Sequence, residues 1–139
     1  RRSGSSADLR QKIHFPLNFR FRIQPGRQQA GVNLAAADFL CLPSYREGFG
    51  MVVIEAAAAG IPSIGSRIYG VSDAIVENET GLLVPPGHVP QLADALSRLA
   101  GDEALRARLA FAGRMRVEAE FKQEKVVAGY VDYFLEVVN

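Results

Sequence analysis

Pro43-Ser44-Tyr45-Arg46-Glu47-Gly48-Phe49-Gly50-Met51-Val52-Val53-Ile54-Glu55 joins two kinds of apolar sequence, and its reading decides the fold. Upstream, residues 39–42 (Phe-Leu-Cys-Leu) form a continuous apolar run stopped by Pro43. Such a run suits a strand buried on both faces, as parallel sheets require. Downstream, residues 50–59 are Ala-rich and apolar on nearly every side, which predicts a helix packed inside the molecule, with Gly60 as its stop. The quoted stretch therefore crosses the carboxyl end of a parallel strand, the edge at which open α/β sheets bind ligands. Gly48 and Gly50 let backbone amides approach a ligand closely, and the first helical turn presents unpaired N–H groups and the positive end of a dipole, so a phosphate fits there. Glu47 stands ahead of the helix. Glu55 stands inside it among Val, Ile and Ala, where a carboxylate needs hydrogen-bond donors such as the vicinal hydroxyls of a ribose. The same residues also read as an exposed loop glutamate and a helical glutamate pointing to solvent, and the residues alone leave both readings open.

Working outward, residues 61–64 and 81–84 are two more short apolar runs, the last closed by Pro85-Pro86. Between them residues 65–78 read as a loop with a brief helix near 72–76. Strand, helix, strand is the rhythm of a parallel sheet with covering helices. Residues 89–100 place Leu92, Ala95, Leu96 and Leu99 on one face, with Pro90 in the first turn, where its missing amide does no harm. Asp102 is a good cap for the next helix, whose buried side is expected at Leu105, Leu109 and Met115. Residues 123–138 repeat Val126, Val127, Tyr130, Val131, Phe134, Leu135 and Val138 as an amphipathic closing helix. On the amino-terminal side, residues 30–37 read as a short helix, and Phe19, Phe21 and Ile23 alternate as one strand before the Pro25-Gly26 turn.

A 139-residue chain with 48% hydrophobic and 22% charged residues is the size of one domain with one core. No apolar run reaches the roughly 18 residues of a membrane span. Without a leader pattern at its amino end the chain is expected in the cytoplasm. Cys41, the single cysteine, is expected as an inert packing group. The net charge of +1 conceals an asymmetry: seven cations against Asp8 give residues 1–30 a charge of +6, leaving −5 for the rest. No groove-reading motif accompanies this arm, so nucleic acid is not an expected partner. His88 opens a helix and reads as a cap, His14 lies in the basic arm, and neither has ligand-spaced partners, so no metal site is indicated. Arg67 follows the second strand at the ligand edge, where an arginine could reach a phosphate, but it reads as an ordinary exposed loop arginine. Tyr130, Tyr133 and Phe134 recur at helical spacing and read as core rather than a base-stacking box.

The segment containing Glu47 and Glu55 resembles the E-x7-E motif of retaining glycosyltransferases of family four, also called group 1. Ala36-Ala37-Asp38, Leu42-Pro43-Ser44, Glu47-Gly48-Phe49-Gly50, Glu55-Ala56, Gly60-Ile61-Pro62, Ile68-Tyr69-Gly70-Val71-Ser72-Asp73-Ala74-Ile75 and Thr80-Gly81-Leu82-Leu83-Val84 all stand in that family's order. The resemblance implies an α/β fold, a partial Rossmann-like domain with a parallel sheet and covering helices, forming the carboxyl-terminal part of a GT-B enzyme. It divides the chain into a poorly matched basic segment, 1–29, and a partial donor-binding domain, 30–139. It implies a nucleotide-diphosphate sugar donor, UDP-linked by expectation, with no cofactor and no metal. Glu47 would be the catalytic-site contact to the donor sugar. Gly48, Phe49, Gly50, Met51 and Val52 would line the sugar and diphosphate, and Glu55 would hold the ribose.

The stretch from Ile68 to Ile75 is similar to the subgroup that assembles capsule, exopolysaccharide and lipopolysaccharide, in which many relatives carry a glutamate near Asp73. The implied acceptor is accordingly a glycan or a lipid-linked sugar, with the enzyme cytoplasmic or peripheral at the inner face of the membrane. A family donor domain also carries a Gly-Arg…Lys-Gly segment and a glycine-rich strand end, neither of which is found here. The amino-terminal acceptor domain is a further expected partner, and the fragment alone is expected to be inactive. Two alternatives are a non-enzymatic nucleotide-binding remnant and a nucleotide-sugar epimerase of the same fold, the latter disfavoured by the E-x7-E spacing.

Overall fold

The computed structural model describes residues 37–138. The strand read over 19–23 and all but the last residue of the helix read over 30–37 lie outside them. The described elements run β1 (Leu40–Leu42), α1 (Met51–Ala58), β2 (Ser63–Ser66), α2 (Val71–Ala74), β3 (Gly81–Val84), α3 (Val89–Gly101), α4 (Glu103–Glu120) and α5 (Gln123–Val138). The three strands form a parallel sheet in the order β1-β2-β3, with Cys41 opposite Ile64 and Ile64 opposite Leu82.

Strand alternation sends residues to two faces, and a core forms on each. Ile64, Leu82 and Val84 pack with Ala95, Leu96 and Leu99 of α3 and Leu109 of α4, and Cys41 lies against this cluster. Leu83 packs on the other face with Val53 and Ile54 of α1 and Val71, Ala74 and Ile75 around α2, joined by Leu40 and Leu42. The result is a sheet between helical layers. Removing Ile64, Leu99 and Leu109 fully from water stabilises the fold by roughly 1.5–3 kcal/mol each.

Helix boundaries follow local chemistry. The Gly60 N–H donates to the Ala57 carbonyl at 3.0 Å and the Ile61 N–H to the Ala56 carbonyl at 2.8 Å. Together these satisfy two terminal carbonyls of α1 while Gly60 sits at φ 75°. His88 Nδ1 accepts from the Gln91 amide at 3.2 Å and Asp102 Oδ1 from the Leu105 amide at 2.8 Å, so both residues are the caps they read as. Arg106 Nη1 donates to the carbonyls of Leu99 and Ala100 and closes the end of α3.

Four expectations need correction. β1 is half-buried rather than buried on both faces, because among the described residues it pairs only with β2. β2 is Ser63–Ser66, two residues later than the apolar run, since pairing starts after Pro62 and includes the buried polar residues Ser63 and Ser66. α1 is buried on one side only: Val53, Ile54 and Ala56 face the core while Met51, Glu55 and Ala58 are exposed. On α4 the inward stripe runs through Leu105, Leu109, Gly113 and Val117, spaced by four, which leaves Met115 about half exposed. Gly113 faces Ala57 closely enough that an added Cβ would lie 3.4 Å from that methyl group. The brief second helix occupies Val71–Ala74, and the closing helix has the bounds its periodicity predicts.

Candidate functional site

Three loops leave the carboxyl ends of the three strands, and they touch one another. Residues 43–50 follow β1, residues 67–70 follow β2 and residues 85–88 follow β3. Gly70, at φ 85°, lies so tightly under the first loop that a Cβ there would overlap the Gly48 carbonyl oxygen and come within 3.0 Å of the Glu47 carbonyl oxygen. Gly87, at φ 73°, lies under the Tyr45 ring: a Cβ there would come within 2.8 Å of the Tyr45 hydroxyl. The first loop therefore rests on the other two at glycines whose missing side chains make room for it. Within it, Ser44 Oγ donates to the Arg46 carbonyl at 3.0 Å.

The loop ends at Gly50, the residue capping α1, in the left-handed region at φ 65° and buried. No side chain caps this helix. Helix geometry leaves the amides of Met51 and Val52 without an intrahelical partner, and the dipole adds partial positive charge at the same point. Met51 and Glu55 lie one turn apart on the exposed stripe of α1. Glu47 is exposed in the loop immediately before it. Each of the residues read as donor-binding, Gly48, Phe49, Gly50, Met51, Val52 and Glu55, thus belongs to one continuous loop and helix start, with Glu47 at its head. Glu55 needs no donor from the protein, because its carboxylate stands in solvent.

Other candidates are employed elsewhere. Arg67 Nη2 lies 2.7 Å from both carboxylate oxygens of Glu77, and its side chain is committed to that ion pair. Burial pushes the Cys41 thiol up to about 11, in line with a packing role. Tyr133 is 60% exposed and does not serve as core. Asp73 is exposed, and its backbone carbonyl accepts from Arg116 Nη2 at 2.9 Å. Sequence reading missed the supporting contacts of Tyr45, Gly70 and Arg116. Positive φ at Gly70 has a visible sequence signal in the glycine itself, whereas the Arg116 contact spans more than forty residues and has none.

An open parallel sheet with a bare helix start at its carboxyl edge defines a Rossmann-like α/β unit. The chain belongs to the glycosyl transferases group 1 family, whose profile matches residues 18–116. It is 35% identical over 106 residues to the N-acetyl-alpha-D-glucosaminyl L-malate synthase of Bacillus anthracis, covering 76% of this chain and 28% of that protein. It is 40% identical over 82 residues to a Staphylococcus aureus capsular polysaccharide biosynthesis glycosyltransferase, covering 59% and 22%. Among solved structures, sucrose-phosphate synthase from Thermosynechococcus elongatus superposes with a TM-score of 0.69 at 39% identity, covering 78% of this chain and 28% of that one. The chain thus spans about a quarter of the length of these relatives. The expected fold, part of a GT-B glycosyltransferase, is the fold found.

Proposed function

We propose that the protein carrying this chain transfers a sugar from a nucleotide-diphosphate sugar, UDP-linked, to a glycan or lipid-linked acceptor with retention of configuration. This chain supplies part of the donor site. The observation that carries the reading is the uncapped start of α1 at the sheet's carboxyl edge, flanked by two exposed carboxylates, in a chain of this family. The amides of Gly50, Met51 and Val52 meet the diphosphate, where charge develops as the sugar leaves. Glu47 accepts hydrogen bonds from hydroxyls of the sugar, and Glu55 from the ribose. Donor binding is assigned to residues 30–139, and the basic residues 1–29 are left outside that assignment. The acceptor contacts come from the amino-terminal domain of the full-length enzyme and the remaining diphosphate contacts from a Gly-Arg…Lys-Gly segment of the donor domain, and the enzyme works on the cytoplasmic side of the membrane and needs no metal.

The similarity to a capsular polysaccharide transferase and the segment from Ile68 to Ile75 favour an acceptor in surface-polysaccharide assembly. The test is incubation of the full-length enzyme with UDP-sugars and a lipid-linked glycan extract, with the anomer of the product read by NMR. A product of inverted configuration, or transfer that persists when Glu47 and Glu55 are both replaced by Ala, overturns the reading.

A further inference from the structure

Arg116 and Phe121, at the far end of α4, contact the candidate donor loop by two separate routes. The first is aromatic: the Phe121 ring lies 5.7 Å from the ring of Phe49, tilted by 49°, and the Arg116 guanidinium sits 5.5 Å from the centre of the Phe121 ring. The second runs through the backbone. Arg116 Nη1 donates to the Ala74 carbonyl at 3.0 Å and Nη2 to the Asp73 carbonyl at 2.9 Å, which holds the carboxyl end of α2. α2 begins one residue after Gly70, and Gly70 is the residue pressed against the carbonyls of Glu47 and Gly48. Arg116 Nε is itself oriented by Glu120 Oε2 at 2.9 Å, and the arginine side chain is only 20% exposed. A planar guanidinium can serve two neighbouring carbonyls, a carboxylate and a ring face at once, which a lysine ammonium cannot.

We infer that Arg116 and Phe121 are positioning residues for the donor site: they fix Phe49 from one side and Gly70 from the other, and so set the direction of the Gly50, Met51 and Val52 amides. This rests on the reading of that loop as the donor site. Neither residue touches the ligand. Both act through Phe49 and Gly70, because an anion held by backbone amides is sensitive to small errors in their aim.

The test uses the 139-residue chain and reads two quantities: backbone amide chemical shifts, and affinity for UDP by titration calorimetry. R116M and F121L should move the resonances of Glu47 to Val52 and of Gly70 while leaving those of Ile64 and Leu82 in place, and each should weaken UDP about 10-fold. F121Y keeps the ring and should restore both readouts. R116K keeps the charge without the planar fork and should resemble R116M. R114M removes an exposed cation from the same helix and should change neither. Should R116M fail to fold, the contrast between F121L and F121Y decides. Unmoved loop resonances in R116M and F121L overturn the inference, as does an F121L chain that binds UDP as tightly as F121Y. Failure of the unaltered chain to bind UDP instead strikes the donor-site reading alone, since the loop shifts are recorded without ligand.

Discussion

Glu47 and Glu55 sit on different scaffolds, one on a loop braced by glycines and one on a helical stripe, so their loss should be felt differently. On the proposed assignment, Glu55→Ala in the full-length enzyme removes a ribose contact present in ground and transition states alike. It should weaken UDP and UDP-sugar equally, by roughly 10- to 100-fold for a lost bond to a charged group of about 1.5–3 kcal/mol. On the same assignment Glu47→Ala removes a contact to the departing sugar, so the transfer rate should fall while UDP affinity stays within experimental scatter. Calorimetry and product analysis on both variants check this, and equal weakening of UDP by the two would reverse the assignment. Gly70→Ala puts a methyl group into the Gly48 carbonyl at a left-handed φ. It should destabilise by roughly 1–3 kcal/mol in urea unfolding and displace the loop resonances. Cys41 offers a cleaner control. Its folded thiol titrates near 11 against 9.0 for a free one, so at pH 8 alkylation of the native chain should be about a hundredfold slower than in urea. The sign for stability follows: the unfolded chain releases this proton first, so stability is lost as pH rises from about 9 toward 11.

Elements that obeyed one strong local rule were legible from sequence. β3 and the closing helix have the expected bounds, and both expected caps form. Replacing Asp102 by Ala should therefore cost about 1 kcal/mol, measured as a shift of the urea midpoint with unchanged slope. The misread elements were those decided by neighbours. Ser66 reads as a loop residue until Val84 of β3 pairs with it. Gly113 carries no side chain to mark a buried position, yet it packs close to Ala57 of α1, and the inward stripe through it leaves Met115 outside. The site followed the same division. The loop and helix start were readable because glycines and a strand end are local signals, whereas the contacts that hold the loop join residues far apart in sequence.

At the scale of the whole molecule, the proposed function makes the described residues a donor-side wall. The 139-residue chain by itself should show neither transfer nor donor hydrolysis above background, and turnover by the purified chain would contradict the division of labour proposed for it. No described helix is long and apolar enough to cross a membrane. Val127, Val131 and Leu135 lie half-exposed along α5.

The strand order β1-β2-β3 has a consequence for how the chain is made. Each strand lies beside the one synthesised just before it, so as the polypeptide leaves the ribosome every new strand can be added at an open margin of the growing sheet. Among the described strands none has to be threaded between two partners already joined. The loop that carries Glu47 gains its supports only as Gly70, then Gly87 and finally Phe121 emerge, so the binding edge sets late although its own residues are translated early.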